Sequence, residues 1–133
     1  MFTPDLDNVV LIRKSRPEWQ AGRLNGVGGK VEEGEDPYQA MRREFWEETG
    51  VNAQFGYMGQ MLGNDWVVDL YCEYSEKALD VATQEDEEVV LMPVAEALAL
   101  TKEQALSNVP WLVGFARDFC GHGMHRVRIE YRV

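Results

Sequence analysis

Cationic side chains are scarce in this chain. It carries 13 Lys plus Arg against 23 Asp plus Glu, a net charge of −10. That balance argues against a broad nucleic-acid surface, which needs clustered cations. It leaves a small anionic substrate open, because bound metal ions can reverse the field of a site whatever the total charge. Cysteine is nearly absent as well. Cys72 and Cys120 show no metal-ligand spacing, and nothing points to an oxidising compartment, so both read as free buried thiols. No apolar run approaches the roughly 20 residues of a membrane span. The first residues, Met1 to Asp7, lack a basic segment leading into an apolar one, so they do not read as a secretory signal. The cytoplasm is the expected location. Repeats, low-complexity tracts and linkers are also missing, and one domain over residues 1–133 is expected.

What is present suits an ordered core: 45% of residues are hydrophobic and 11% aromatic. Phe2-Thr3 reads as a very short strand, Pro4 to Asn8 as a turn, and Val9 to Ile12 as a strand. Ser15 to Gly22 reads as a loop. Arg23 to Val31 holds Gly26, Gly28 and Gly29, a density that lets backbone approach a ligand closely. A helix is bounded by Asp36 as N-cap, Pro37 at its first position and Gly50 as its stop. Its Tyr38, Met41 and Phe45 form a core-facing stripe. Val51 to Met61 and Trp66 to Tyr74 are expected strands joined near Gly63-Asn64-Asp65. Ser75 to Glu88 reads as a loop, Val89 to Val94 as a strand and Ala95 to Leu100 as a short helical turn. A second helix is expected from an Asn108 cap through Trp111, Leu112, Phe115 and Ala116 to Gly121. The tail alternates Val127, Ile129, Tyr131 and Val133 with Arg126, Arg128, Glu130 and Arg132, the pattern of a half-buried strand. Several strands with two main helices predict an α/β or α+β sandwich with a mixed β-sheet.

The first helix carries an unusual charge arrangement. Glu44, Glu47 and Glu48 fall at i, i+3 and i+4 and share one face. Like-charge pairs at these spacings cost roughly 0.2–0.5 kcal/mol each. Acids in a last turn face the negative helix end at roughly 0.3–1 kcal/mol each. The total, about 1–3 kcal/mol, is appreciable against the marginal stability of a small domain. A solvated acidic face is the simplest account of such a cluster, but a bound divalent cation removes both penalties. All-oxygen ligands favour Mg2+, Mn2+ or Ca2+ over zinc. Arg43 lies four residues before Glu47, within reach of its carboxylate.

The wider spacing is specific. Gly29, five residues, Glu35, seven residues, then Arg43-Glu44-Phe45-Trp46-Glu47-Glu48-Thr49-Gly50-Val51 resembles the complete Nudix box, with every specified position filled. The resemblance implies a Nudix-type α/β/α sandwich. It also implies a Mg2+- or Mn2+-dependent hydrolase of a nucleoside diphosphate linked to another moiety. Glu44, Glu47 and Glu48 are then implied as metal ligands, with Glu44 also helping to activate water, and the Gly28 carbonyl as a further ligand. Glu35 and Arg43 are implied as salt-bridge partners that orient the helix. Many members of the family draw a further acid from a distant loop. The candidate here is the run Glu85-Asp86-Glu87-Glu88, with Glu85 preferred as the residue farthest from the strand start, although an acidic run also suits a solvated loop. No Ser/His/Asp arrangement is visible, and His122 and His125 read as surface residues rather than bases.

The segment Leu24 to Val31 is similar to the branch of the family that sanitises oxidised purine nucleotides. In that branch an Asn at the place of Asn25 bonds the base, and a buried amide suits an edge with donors and acceptors. Asn-Gly is equally an ordinary turn dipeptide. Trp111 suits either base stacking or the core, and Trp66 is similarly placed. Lys30 suits either a phosphate or solvent. Arg126, Arg128 and Arg132 read as charges guarding an edge strand. The leading expectation is a nucleoside triphosphate pyrophosphohydrolase that yields a monophosphate and pyrophosphate. The alternatives are a Nudix hydrolase for ADP-ribose, a dinucleoside polyphosphate or an RNA 5′ end, RNA being disfavoured by the acidity, and a non-catalytic nucleotide-binding module. A homodimer is compatible with the sequence.

Overall fold

The computed structural model describes residues 1–123 and 126–132. The sequence readings of His125 and Val133 lie outside the described residues. The central strand β1 (Asn8–Arg13) is buried along Val9 to Ile12 without alternation. A strand covered on both faces has this apolar run. It pairs antiparallel with β2 (Leu24–Asn25), Ile12 facing Asn25. On its other side it pairs antiparallel with β5 (Glu88–Pro93), Val10 facing Leu91. A second sheet joins β3 (Gly56–Leu62) to antiparallel β4 (Val67–Cys72) and to parallel β6 (Val127–Glu130). The strands thus form two three-stranded sheets, ordered β2-β1-β5 and β4-β3-β6, and the second is the mixed one. Phe2 stitches them together. It makes isolated bridges to Val9 and to Tyr74, and its side chain is buried in the core with Val9 and Leu11. The expected Phe2-Thr3 strand is therefore a single bridging residue.

Helices cover the first sheet on both faces. α1 (Pro37–Thr49) starts at Asp36, whose side chain accepts the Gln39 N–H at 2.8 Å. Gln39 returns the bond to the Asp36 N–H at 2.9 Å, completing a capping box. The helix ends at Gly50 with φ 76°, the left-handed cap that glycine adopts without a Cβ penalty. Phe45, fully buried, packs with Val10, Val51, Ala53, Phe55 and Ala78, and Tyr38 and Met41 lie against the same cluster. On the opposite face, α2 (Val94–Ala97) and α3 (Val109–His122) contribute Val94, Ala97, Val109 and Val113 to a core with Phe2, Val9, Leu11 and Leu24. Alternate β1 side chains therefore serve opposite helical layers, which is the layering of an α/β/α sandwich.

Several boundaries differ from the sequence pattern for local reasons. Val51, Ala53 and Phe55 are buried, but this stretch pairs with no strand among the described residues, so β3 begins only at Gly56. Alternation here reports burial, not ladder formation. The polar stretch after β4 contains a 3-10 turn, Glu76–Asp80, whose Ser75 hydroxyl accepts the Lys77 N–H at 3.1 Å. α3 runs past Gly121 to His122 and stops at Gly123, φ 62°. Asn108 precedes that helix without capping it, its amide turned instead toward Tyr131 Oη at 3.4 Å. No helix among the described residues is long and apolar enough to cross a membrane.

Candidate active site

The organising side chain is Arg43. Its Nε and Nη2 donate to Glu35 at 3.0 and 2.7 Å, and Nη2 also donates to the Lys30 carbonyl at 3.0 Å. Nη1 turns the other way and donates to Glu44 Oε1 at 2.9 Å and Glu47 Oε2 at 3.2 Å. One guanidinium therefore ties the loop before α1 to the acidic face of α1, using the planar fork that lysine lacks. These carboxylates hold Arg43 firmly in its charged form, Glu35 first and Glu44 second. Glu35 is in turn held below the usual carboxylate range by Arg43 and by the Glu32 N–H. The predicted pairing of Glu35 with Arg43 is present.

The glycine loop meets this cluster at Gly29. A Cβ on Gly29 would lie 2.3 Å from the Glu44 carboxyl carbon, so the residue must be glycine for Glu44 to keep its place. No such crowding surrounds Gly28, which is exposed. Glu44 and Glu47 are engaged by Arg43, with their side chains 17% and 36% exposed. Glu48 differs from both. Its Oε2 is buried and has no hydrogen-bond partner among the described residues. Burial, and then the charges of Glu85, Glu87 and Glu44, raise its pKa above the ordinary value, with Lys14 opposing. As the side chains stand, no three acids, histidines or cysteines among the described residues converge to hold a metal ion. The carboxylates share a helix face while Arg43 engages two of the three.

The acidic run reaches this end of α1 through backbone bonds. The Ala82 N–H donates to the Thr49 carbonyl at 3.1 Å, and the Gln84 N–H to the Glu48 carbonyl at 3.3 Å. The loop thus satisfies terminal carbonyls that the helix itself leaves open. Glu85 is exposed and close enough to weigh on Glu48. Glu87 is buried. Its Oε1 meets Lys14 Nζ at 2.8 Å, and its Oε2 accepts the Ser15 N–H at 2.5 Å. Burial would raise Glu87, but Lys14 and the Ser15 N–H outweigh it and hold the carboxyl below its ordinary value. Lys14 and Ser15 carry no motif in the sequence. The signal lies in sheet register: Arg13 faces Glu88, so the next pair outward is Lys14 and Glu87.

The candidate substrate residues do not converge on one place. Asn25 is half-buried at the end of β2, its Oδ1 accepting the Gly26 N–H at 2.8 Å. Lys30 is exposed and contributes its carbonyl to Arg43. Trp111 is 37% exposed in the first turn of α3, set edge-on to Phe115. A cleft of about 560 Å3 opens elsewhere, lined by Trp19, Arg23, Trp66, Lys102, Asn108 and Tyr131 among others. Trp66 and Tyr131 sit 5.4 Å apart across tilted rings. Trp111 is outside this lining. Arg23, which lines the cleft, lies just before β2, and Asn25, at the end of that strand, is outside the lining. The arginines of the tail keep to the second sheet: Arg128 pairs with Glu130 at 3.0 Å, and Arg126 lies over the Tyr57 ring. His122 is exposed at the end of α3.

Known proteins resemble this chain in sequence and in fold. A model of the NUDIX domain matches residues 1–112. An oxidized purine nucleoside triphosphate hydrolase from Danio rerio is 38% identical over 60 residues, a match spanning 38% of this chain and 38% of that protein. MutT from Methanosarcina mazei Go1 superposes with a TM-score of 0.64 at 22% identity, covering 89% of this chain and 86% of the other. A MutT structure from work on Aliivibrio salmonicida and Vibrio cholerae gives 0.63 at 22% identity, covering 85% and 90%. The ORF135 protein of E. coli gives 0.61 at 24% identity, covering 94% and 90%. The structural likenesses concern the fold.

Proposed function

This chain belongs to the NUDIX domain family, and we propose that it is a divalent-metal-dependent hydrolase that splits a nucleoside triphosphate into the monophosphate and pyrophosphate. The observation that carries the reading is Glu48, whose buried, unpartnered Oε2 sits on the face shared with Glu44 and Glu47. A buried carboxylate oxygen without a donor is costly. The donor set is all oxygen and therefore suits Mg2+ or Mn2+. Glu44, Glu47 and Glu48, with the carbonyl of the exposed Gly28, are the residues that would hold it. When bound, such a cation neutralises phosphate oxygens and makes a coordinated water a better nucleophile.

The chain's own residues supply the rest. Arg43 grips Glu44 through Oε1, which leaves the other carboxylate oxygen to accept the proton of the attacking water. Arg43 and Glu35 hold α1 in register with the loop from Gly29 to Glu35. Glu85 is the loop acid best placed to join, being free in solvent while Glu87 is engaged by Lys14 and Ser15. Lys30, exposed beside the Arg43 anchor, suits a phosphate oxygen. The aromatic cleft suits a base: Trp19 and Trp66 offer indole faces, and Arg23 and Lys102 offer cations. Asn25, two residues along from Arg23, accepts through Oδ1 and retains its amide donors for a base edge. Trp111, exposed but outside the cleft, is left as a second stacking surface. A purine triphosphate, including the oxidised kind named for the Danio rerio relative, is the proposed substrate.

Pyrophosphate release from a panel of nucleotides, with Mg2+ and with chelator, tests this. The panel includes oxidised purine triphosphates, ADP-ribose and dinucleoside polyphosphates. Mg2+-dependent pyrophosphate from triphosphates is the expected result. Turnover of ADP-ribose or dinucleoside polyphosphates alone would overturn the substrate, and turnover of nothing would overturn the enzyme.

A further inference from the structure

Glu48, at the end of α1, feels the charges of Glu44 on its own helix and of Glu85 and Glu87 on the acidic loop that precedes β5. A loop of this charge is repelled by the acidic face and by the negative end of the helix. Two backbone bonds nevertheless hold it there, from Ala82 to Thr49 and from Gln84 to Glu48. Something cationic must offset the repulsion. Arg13 reaches Glu88 at 3.3 Å, but both side chains are open to solvent, so that pair is worth little. Lys14 is different. Its Nζ lies 2.8 Å from Glu87 Oε1, with the two side chains 18% and 8% exposed. The other oxygen of Glu87 takes the Ser15 N–H and, at 3.3 Å, the Ser15 hydroxyl. Glu87 is therefore saturated and locked to the end of β1.

We propose that Lys14 is a positioning residue for the hydrolytic site: through Glu87 it pins the 82–88 loop across the end of α1 and holds Glu85 beside Glu48. The proposal rests on the hydrolase reading for its consequence, and on the Lys14–Glu87–Ser15 contacts for its mechanism. Lys14 touches no reacting atom. Its Nζ is turned to Glu87, so its removal frees the loop, and the loss of its charge near Glu48 comes in addition.

The test compares Lys14→Met, Lys14→Arg and the double variant Lys14→Met, Glu87→Gln, with two readouts. Amide hydrogen exchange at Ala82 and Gln84 needs no activity. It should speed up in Lys14→Met and return to the wild-type rate in Lys14→Arg. Steady-state kinetics on a purine triphosphate with Mg2+ is the second readout. Lys14→Met should lower kcat by about 10²-fold, the cost of misplacing a reacting group by roughly 1 Å. KM should stay close to the wild-type value, and Lys14→Arg should recover most of the loss. The double variant removes the unpaired buried charge, so it folds, yet kcat should stay low because the cationic pin is gone. Unchanged exchange in Lys14→Met would overturn the pin. Faster exchange with unchanged kcat would overturn the positioning role and leave the hydrolase reading intact. A wild-type enzyme inert on the whole panel would overturn the hydrolase reading and with it the positioning role, while the exchange data still judged the pin.

Discussion

Glu48→Gln should make the metal-free protein more stable and the enzyme inactive. The wild-type carboxylate stands four residues after Glu44, a like-charge pair costing roughly 0.2–0.5 kcal/mol. It also lies in the last turn of α1, against the negative end of the helix, at roughly 0.3–1 kcal/mol. Glutamine keeps the shape and removes both, a gain of about 0.5–1.5 kcal/mol. With an unfolding entropy near 2.1 cal/mol/K per residue over this chain, the melting temperature should rise by about 2–5 °C in chelator. The effect depends on pH with a definite sign. Burial, then Glu85, Glu87 and Glu44, raise the folded-state pKa of Glu48 above its unfolded value. Between those two values the folded chain binds more protons than the unfolded one, so wild-type stability falls as pH rises through that window. The advantage of Glu48→Gln is therefore small in acid and full at alkaline pH. Mg2+ should raise the wild-type melting temperature and leave that of the variant nearly unmoved. Thermal melts in chelator and in Mg2+, at acid and alkaline pH, read all three effects. A variant that melts below wild type in chelator, or that gains as much from Mg2+ as wild type does, would refute the account of Glu48 as a strained metal ligand.

Other expectations follow from the same contacts. Glu35 has a depressed folded-state pKa through Arg43, so its stabilisation is present above the unfolded value and lost as pH falls through the folded one. Acid titration of Glu35→Gln should lack that part of the wild-type loss, as measured by denaturation across the acid limb. Gly29→Ala should drive the Glu44 carboxylate from its place and lower kcat, whereas Gly26→Ala meets open space and should fold and turn over like wild type. Trp66→Ala should raise KM about 5- to 150-fold, the equivalent of roughly 1–3 kcal/mol of base stacking, with a smaller change in kcat. An unchanged KM would move the base out of the aromatic cleft.

Local chemistry wrote the acidic helix α1 into the sequence. Asp36, Pro37 and Gly50 set its ends, Tyr38, Met41 and Phe45 its buried side, and Glu44, Glu47 and Glu48 its acidic side, because caps and the 3.6-residue period act within a few turns. The spacing from Gly29 to Val51 named the family for the same reason: every member of that pattern is near its partners along the chain. Contacts made across the chain were not legible. Phe2 looked like a short strand, but only two sheets brought together could reveal a single residue bridging Val9 and Tyr74. Glu87 was one acid in a run of four until the β1–β5 register set it against Lys14, which the sequence places 73 residues away. The cleft joining Trp19, Trp66 and Tyr131 draws on segments separated throughout the chain. Sequence alone thus determined which helix carries the carboxylates and what kind of cation they suit. Tertiary structure decided which loop acid is locked, which is exposed and where the aromatic cleft opens, because those features depend on pairing between distant segments and not on any local period.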